Sequence, residues 1–79
     1  MRPLANSIYP NPTRNQVNIE IPVGGLGTLV VYAATGQKLL QKRTLSDQVT
    51  LDLTAWPRGL YVLRWENDNE VFVSKLLVD

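Results

Sequence analysis

Apolar and polar residues alternate with a period of two along most of the chain. In residues 16–21, the apolar residues Val17, Ile19 and Ile21 are separated by polar ones, as expected for a β-strand with one buried face. Similar or more apolar segments follow at residues 28–33, 38–44, 48–53, 60–65 and 71–78. The pattern therefore predicts six strands, a short seventh strand at residues 7–9, and no helix.

Glycines supply the backbone freedom for the reversals between these strands, at Gly24, Gly25, Gly27, Gly36 and Gly59. Gly36 lies where a tight turn needs a positive φ, and Gly59 is the hinge of a corner. The segment at residues 28–33 is apolar on both faces, which predicts a central strand. Because turn residues recur at roughly 8 to 12 residue intervals, the predicted fold is an all-β antiparallel sandwich.

Two sheets packed face to face would bury one side of each strand. The predicted core consists of Val17, Ile19, Leu29, Val31, Val49, Leu51, Tyr61, Leu63, Phe72 and Leu76, or their neighbours on the opposite face. A chain of 79 residues buries only roughly 60 to 65% of its unfolded surface. Such a thin core favours a role for the surface over an enclosed active site.

The charge and composition of the chain argue against several classes of function. Eight Lys and Arg residues against seven Asp and Glu residues give a net charge of +1, which argues against nucleic acid as a partner. The chain has no Cys and no His, so it lacks disulfides, thiolate nucleophiles, imidazole bases and the usual zinc ligands. We therefore expect no catalytic residue, no cofactor and no metal site, and we predict that the domain is not an enzyme.

Two groups of residues are candidates for a chemical site. Ser74 and Lys75 are adjacent in a strand, so their side chains point to opposite faces and cannot act as a nucleophile with its base. Residues 66–70 carry three carboxylates and two amides that suggest calcium, but they lack the glycine and terminal glutamate of an EF-hand. A solvated hairpin loop is the favoured interpretation, with a weak calcium contact left open.

The aromatic residues allow a second hypothesis, a carbohydrate-binding or adhesive module. Tyr32 and Tyr61 lie in alternating strands and are predicted to be core residues, because a small domain needs their apolar area. Trp56 stands on a turn beside Pro57. Of the aromatic residues, Trp56 is therefore the one most expected to be partly exposed and to contact a sugar ring.

The segment Lys75-Leu76-Leu77-Val78 closes a strand that is apolar on both faces. One interpretation is a terminal strand that only pairs with its neighbours. The other is recognition, because excess apolar surface on a strand, especially at a sheet edge, invites pairing with a partner. An edge-strand dimer with a second copy of the chain is one form of such pairing, and both interpretations stay open at this point.

Four motifs occur in order along the chain: Tyr9-Pro10-Asn11-Pro12, then Val30-Val31-Tyr32 with Gly36 and Lys38, then Asp52-Leu53 with Gly59-Leu60-Tyr61, then Lys75-Leu76-Leu77-Val78. In this order they resemble the type A C-terminal sorting domain of the type IX, or Por, secretion system, from Ile8 to Val78. The resemblance implies an immunoglobulin-like antiparallel β-sandwich of about seven strands. Residues 1–7 would be a remnant of the linker to the cargo, and residues 8–79 the sorting domain.

The resemblance also implies a function without catalysis. The domain would be the secretion signal of a longer Gram-negative protein, which passes through the periplasm, is recognised by an outer-membrane translocon and reaches the cell surface or the medium. A sortase would normally remove the domain and attach the N-terminal cargo to the surface. Ala33 and Asp79 depart from the family pattern, which commonly has Asp and a basic residue there, and residues 67–69 replace a glycine.

The motif Tyr9-Pro10-Asn11-Pro12 is interpreted as mainly structural, together with Gly36, Gly59 and Tyr61. Each proline holds the preceding residue in an extended conformation, and neither can donate to a sheet. The motif is therefore expected to be the hinge and end plug of the domain. Recognition by the translocon is expected at Lys75, Leu76, Leu77 and Val78 instead.

Overall fold

The computed structural model describes residues 2–3, 8–9, 15–21 and 26–79. These residues form β1 (Arg2–Pro3), β2 (Ile8–Tyr9), β3 (Gln16–Glu20), β4 (Leu26–Ala33), β5 (Lys38–Leu45), β6 (Gln48–Asp52), β7 (Gly59–Glu66) and β8 (Val71–Val78). The all-β prediction is confirmed, with six strands of five to eight residues and two strands of two residues each. The second of the short strands, β2, lies within the short strand predicted at residues 7–9. The described segments contain no helix of the length and apolarity needed to cross a membrane.

The strands form two sheets that pack as a sandwich. One sheet has five strands in the order β1-β8-β7-β4-β5, and the other has three in the order β2-β3-β6. The pairings are antiparallel except that of β1 with β8, which is parallel. The strand that is apolar on both faces, β4, lies between β5 and β7, which confirms its predicted central position.

The edges of the larger sheet bear on the two interpretations of the terminal strand. β8 pairs with β7 along its length and with β1 at Phe72 and Val73. Among the described strands the sheet ends at β1 and β5, but β1 does not pair with residues 74–78 of β8. β5 carries Lys38, Lys42 and Arg43 and no acidic residue, a charge pattern that discourages edge-to-edge pairing of two copies. The edge-strand dimer stays a prediction.

The position of β1 was not anticipated from the sequence. Arg2 and Pro3 lie opposite Phe72 and Val73 of β8, although residues 1–7 were expected to be a linker remnant. Two residues are too few to show an alternation of apolar and polar positions, so only the pairing with β8 reveals this strand. The boundary at residue 8 stays a prediction.

The core lies between the two sheets, and all ten residues of the predicted set are buried. The prediction that Tyr32 is also a core residue is wrong, because Tyr32 is half-buried on the opposite side of β4 from Leu29 and Val31. In the smaller sheet, Val17 lies opposite Leu51 and Ile19 opposite Val49. Four side chains outside that set also join this cluster: Ile21, Leu53, Trp65 and Val78. The strand register therefore places one apolar face of each sheet against the other.

Trp65 is the largest of the fully buried side chains. Its indole Nε1–H donates a hydrogen bond of 2.8 Å to the hydroxyl of Thr44, which is itself buried on β5. The ring of Phe72 packs beside it, with centroids 5.6 Å apart. The pair explains why a threonine is buried on an otherwise exposed strand, because a buried indole N–H needs an acceptor.

Gly27 lies inside β4 rather than in the reversal that the sequence predicted for it. A Cβ atom at this position would be 2.5 Å from the backbone oxygen of Glu66 and 2.6 Å from Cζ2 of Trp65. The glycine is therefore needed because the neighbouring strand and the indole ring approach closely, and not because the chain turns there.

Candidate functional site

The residues expected to be recognised lie on β8, and the structure divides them between two faces. Lys75 and Leu77 point outward, and Leu77 is 44% exposed. Leu76 and Val78 point inward and belong to the buried core. Because successive side chains of a strand alternate, the four residues cannot act together on one surface, and two of them serve the fold.

An apolar pair extends the outward surface of β8 onto β7. Leu60 lies directly opposite Leu77, and Val62 lies opposite Lys75. The two leucines are 42% and 44% exposed, although side chains on a solvated sheet face are usually polar. Directly opposed residues are close enough for their side chains to touch, so the leucines form one exposed apolar patch beside the Lys75 ammonium group.

The sequence did not predict Leu60 or Val62 as recognition residues, although Leu60 belongs to the Gly59-Leu60-Tyr61 motif. The alternation within residues 60–65 showed that both share a face. It did not show that this face is the outward one, or that it adjoins Leu77. That information comes from the register between β7 and β8.

The Gly59-Leu60-Tyr61 motif forms a structural corner where β7 begins. Gly59 has a φ of +150°, and Tyr61 is buried, with its hydroxyl donating to the backbone carbonyl of Pro57. This bond from a tyrosine to the backbone a few residues upstream is the arrangement of the tyrosine corners of other β-sandwiches. The structural role expected for Gly59 and Tyr61 agrees with these contacts.

Trp56 does not present a free ring to a ligand. It is half-buried, packs against the core, and lies 5.0 Å from the Tyr61 ring between centroids. A groove of about 280 Å³ beside it is lined by Leu39, Leu40, Ala55, Trp56, Pro57 and Tyr61. This lining is almost wholly apolar, and the Tyr61 hydroxyl is already bonded, so the groove offers little to the hydroxyl groups of a sugar.

The turn after β4 confirms the conformation predicted for Gly36. Its φ is +95°, and its N–H donates to the Ala33 carbonyl at 2.9 Å. The Ala33 N–H in turn donates to the carbonyl of Gln37 at 2.8 Å. The motif glycine therefore closes a hairpin and faces open space.

The acidic loop between β7 and β8 is closed by Asn67. Its side-chain oxygen accepts from the N–H groups of Asn69 at 2.8 Å and Glu70 at 2.7 Å. This explains how an asparagine replaces the glycine common at this loop, since Asn side chains can hold a turn by bonding the backbone. Within the described part of the chain, no group of three or more His, Cys, Asp or Glu residues is placed to hold a metal ion.

Asp52 of the second motif caps a turn. One carboxylate oxygen accepts from the Thr54 hydroxyl at 2.6 Å and from the Thr54 N–H at 3.0 Å. These bonds, the hydroxyl bond first, favour the ionised form and lower the pKa of the Asp52 carboxyl below its usual value. The next residue, Leu53, is buried and donates its N–H to the Asn15 carbonyl, so this motif holds β6 to the end of the sandwich.

The lowered pKa of Asp52 predicts a pH dependence of stability. A carboxyl whose folded-state pKa is depressed stabilises the fold above its unfolded pKa of about 3.9, and this contribution is lost as pH falls through the folded pKa. Acidification from about pH 6 to about pH 2.5 should therefore lower the urea midpoint of the wild type more than that of Asp52→Asn. Thr54→Val, which removes the hydroxyl donor, should also show the weaker dependence; equal slopes in all three proteins would contradict the assignment.

Most of the Tyr9-Pro10-Asn11-Pro12 motif lies outside the described residues. The backbone of Tyr9 ends β2 opposite Asn18 of β3. The Tyr9 side chain and residues 10–12 are not among the described parts, so the expected hinge and end plug stay predictions.

Comparison with known proteins gives one finding about the family. A search of curated proteins returns no significant match to the chain. The family model of the secretion system C-terminal sorting domain matches residues 7–79, a range that includes all six long strands and the corner at Gly59. The resemblance seen in the four sequence motifs is thereby confirmed. The chain belongs to the family of C-terminal sorting domains of the type IX, or Por, secretion system.

Proposed function

We propose that the outer-membrane translocon of the type IX system recognises this domain through the outward side chains of β8, Lys75 and Leu77. The observation that carries the proposal is the exposure of Leu77 on a strand whose other face is buried in the core. An exposed leucine opposite a second exposed leucine leaves apolar area in water that a partner would cover. In this proposal Leu76 and Val78 contribute by holding β8 in place.

Family membership makes the domain a secretion signal of a larger, exported protein and relates it to the type IX machinery. The finer steps belong to the proposal. The N-terminal cargo and this domain would cross the periplasm together, and the translocon would pass them through the outer membrane. A sortase would then cut in the linker ahead of residue 8 and attach the cargo to the cell surface, with the domain as part of the substrate.

The test is delivery of a reporter protein fused to residues 1–79 in a bacterium that has the type IX machinery. Deleting residues 75–79 would also remove Leu76 and Val78 from the core, so loss of export after that deletion could reflect unfolding. The double variant Lys75→Gln/Leu77→Ser changes only outward side chains. We expect it to lower the surface fraction of the reporter by roughly fivefold or more, as loss of a central interface contact does.

A matched control comes from β5. Lys42→Gln/Leu39→Ser also removes one cation and one leucine, and Leu39 is 43% exposed, close to the value for Leu77. This control should be exported like the wild type. Equal export of the β8 variant and the wild type, with both domains folded by circular dichroism, would overturn the proposal.

A further inference from the structure

The five-stranded sheet has one face that points away from the core. It is formed by the even-numbered residues of β4 and β7, the odd-numbered residues of β8, and their partners on β5. We refer to it as the outer face. Lys75 and Leu77 lie near one end of it, so the proposed recognition residues belong to a larger continuous surface.

The outer face is more apolar than a solvated sheet face requires. Besides the exposed pair of Leu60 and Leu77, it carries Val62 and Val73, which are half-buried by their neighbours on the sheet. Val30 is buried although it is not part of the core cluster, because it lies on the opposite side of β4 from Leu29 and Val31. These aliphatic groups lie across three strands, with Arg64 between Val30 and Val73.

Cations lie among and beside these aliphatic residues on the outer face. Lys38, Arg43, Arg64 and Lys75 occupy outer-face positions, which is half of the eight Lys and Arg residues in the chain. Of its seven acidic residues, Glu66 occupies an outer-face position on these strands, 3.3 Å from the Arg64 guanidinium. The face is therefore net positive, although the chain as a whole is almost neutral.

We infer, resting on the proposed function, that the docking surface covers the outer face from β8 across to β5, and that its partner is a protein surface of the type IX machinery that offers both apolar and acidic side chains. Complementary potentials favour such a partner and steer its approach. A second copy of the chain does not fit, because two outer faces would bring like charges together. Family membership relates the domain to the type IX machinery, which favours a protein over a lipid surface.

Two adjacent cations on β5 allow a test of whether charge on the outer face matters. Arg43 and Lys42 are both exposed cations, but Arg43 lies opposite Thr28 on the outer face, whereas Lys42 lies opposite the core residue Leu29. Both are far along the sheet from β8, since β7 and β4 lie between. Arg43→Glu and Lys42→Glu therefore make the same change of charge on opposite faces of the same strand.

The experiment measures the surface fraction of the reporter fused to residues 1–79, with each variant checked for folding by thermal denaturation. We expect Arg43→Glu to lower export by roughly fivefold and Lys42→Glu to leave it within about twofold of wild type, because a reversed charge meets like charge across the interface. Should Arg43→Glu destabilise the domain, Arg43→Gln replaces it, with a smaller loss expected.

The outcomes separate the two proposals. Export of the wild-type fusion, with loss in Lys75→Gln/Leu77→Ser but none in Arg43→Glu, would confine recognition to β8 and overturn the extended surface alone. Equal losses in Arg43→Glu and Lys42→Glu would also overturn it, since the effect would not depend on the face. Failure of the wild-type fusion itself to be exported would overturn the proposed function.

A lipid partner is tested by sedimentation of the purified domain with phosphatidylglycerol vesicles. Binding that depends on Arg43 but not on Lys42 would assign the outer face to lipid and overturn the protein partner.

Discussion

Replacing Trp65 with alanine is expected to lower the free energy of unfolding by about 3 to 5 kcal/mol, the range for removal of a buried large aromatic side chain. The side chain is 0% exposed, packs against Phe72 and donates its indole N–H to Thr44. The change would leave a cavity and remove the indole donor from the buried Thr44 hydroxyl. A domain of this size has a total stability on the order of 4 to 12 kcal/mol, so the loss is a large fraction of the total.

Urea denaturation followed by far-ultraviolet circular dichroism measures this loss, because the signal does not depend on the tryptophan that is removed. Thr44→Val leaves the buried indole N–H without its acceptor, at a cost of about 1 to 3 kcal/mol, and Trp65→Phe removes the donor to the Thr44 hydroxyl. The double variant should cost less than the sum of the two, because both partners are then apolar. A Trp65→Ala loss below about 1 kcal/mol would show that the indole is not part of a packed core.

Replacing Gly27 with alanine is expected to have the second-largest effect, a loss of about 3 kcal/mol, at the upper end for overpacking. The added Cβ would lie 2.5 Å from the backbone oxygen of Glu66 and 2.6 Å from the Trp65 ring. The fully buried Trp65 ring cannot move aside cheaply. β4 and β7 would have to separate next to Thr28 and Glu66, the pair at the end of their register.

Gly36→Ala is the matched control for the Gly27 substitution. Gly36 has a φ of +95°, and no atom lies within 4 Å of the place that its Cβ would take, so only backbone strain opposes an alanine, at about 1 to 2 kcal/mol. Urea midpoints of both variants should therefore rank Gly27→Ala as the more destabilised protein. The reverse order would mean that the close approach at Gly27 is relieved at little cost.

The alternation of residues was enough to predict most of the fold. The ten predicted core residues are buried because period two fixes which residues share a face, and apolar content then selects the inward face. Thr44 could not be found in this way, since its burial depends on the indole N–H of a residue 21 positions away. The packing role of Gly27 was missed for the same reason, because the close approach comes from β7.

The candidate site could be predicted only in part. β8 is apolar on both faces, with Val71 and Val73 on one side and Phe72 and Leu76 on the other, so period two could not decide which set points inward. The packing of the two sheets decides it, and this separates Lys75 and Leu77 from the two buried residues of the same motif. The surface beyond β8 needed the register with β7 and β4, which the sequence does not contain.

We propose above all that the outward side chains of β8 are recognised during secretion, whereas the inward ones only stabilise the domain. The decisive comparison is the surface fraction of the reporter fusion against the unfolding free energy of the same domain, for Lys75→Gln/Leu77→Ser and for Leu76→Val. We expect the outward variant to keep its stability and lose export. We expect Leu76→Val to lose about 1 kcal/mol and still be exported. Export that follows stability alone, with the outward variant delivered like the wild type, would show that the outward side chains of β8 are not recognised.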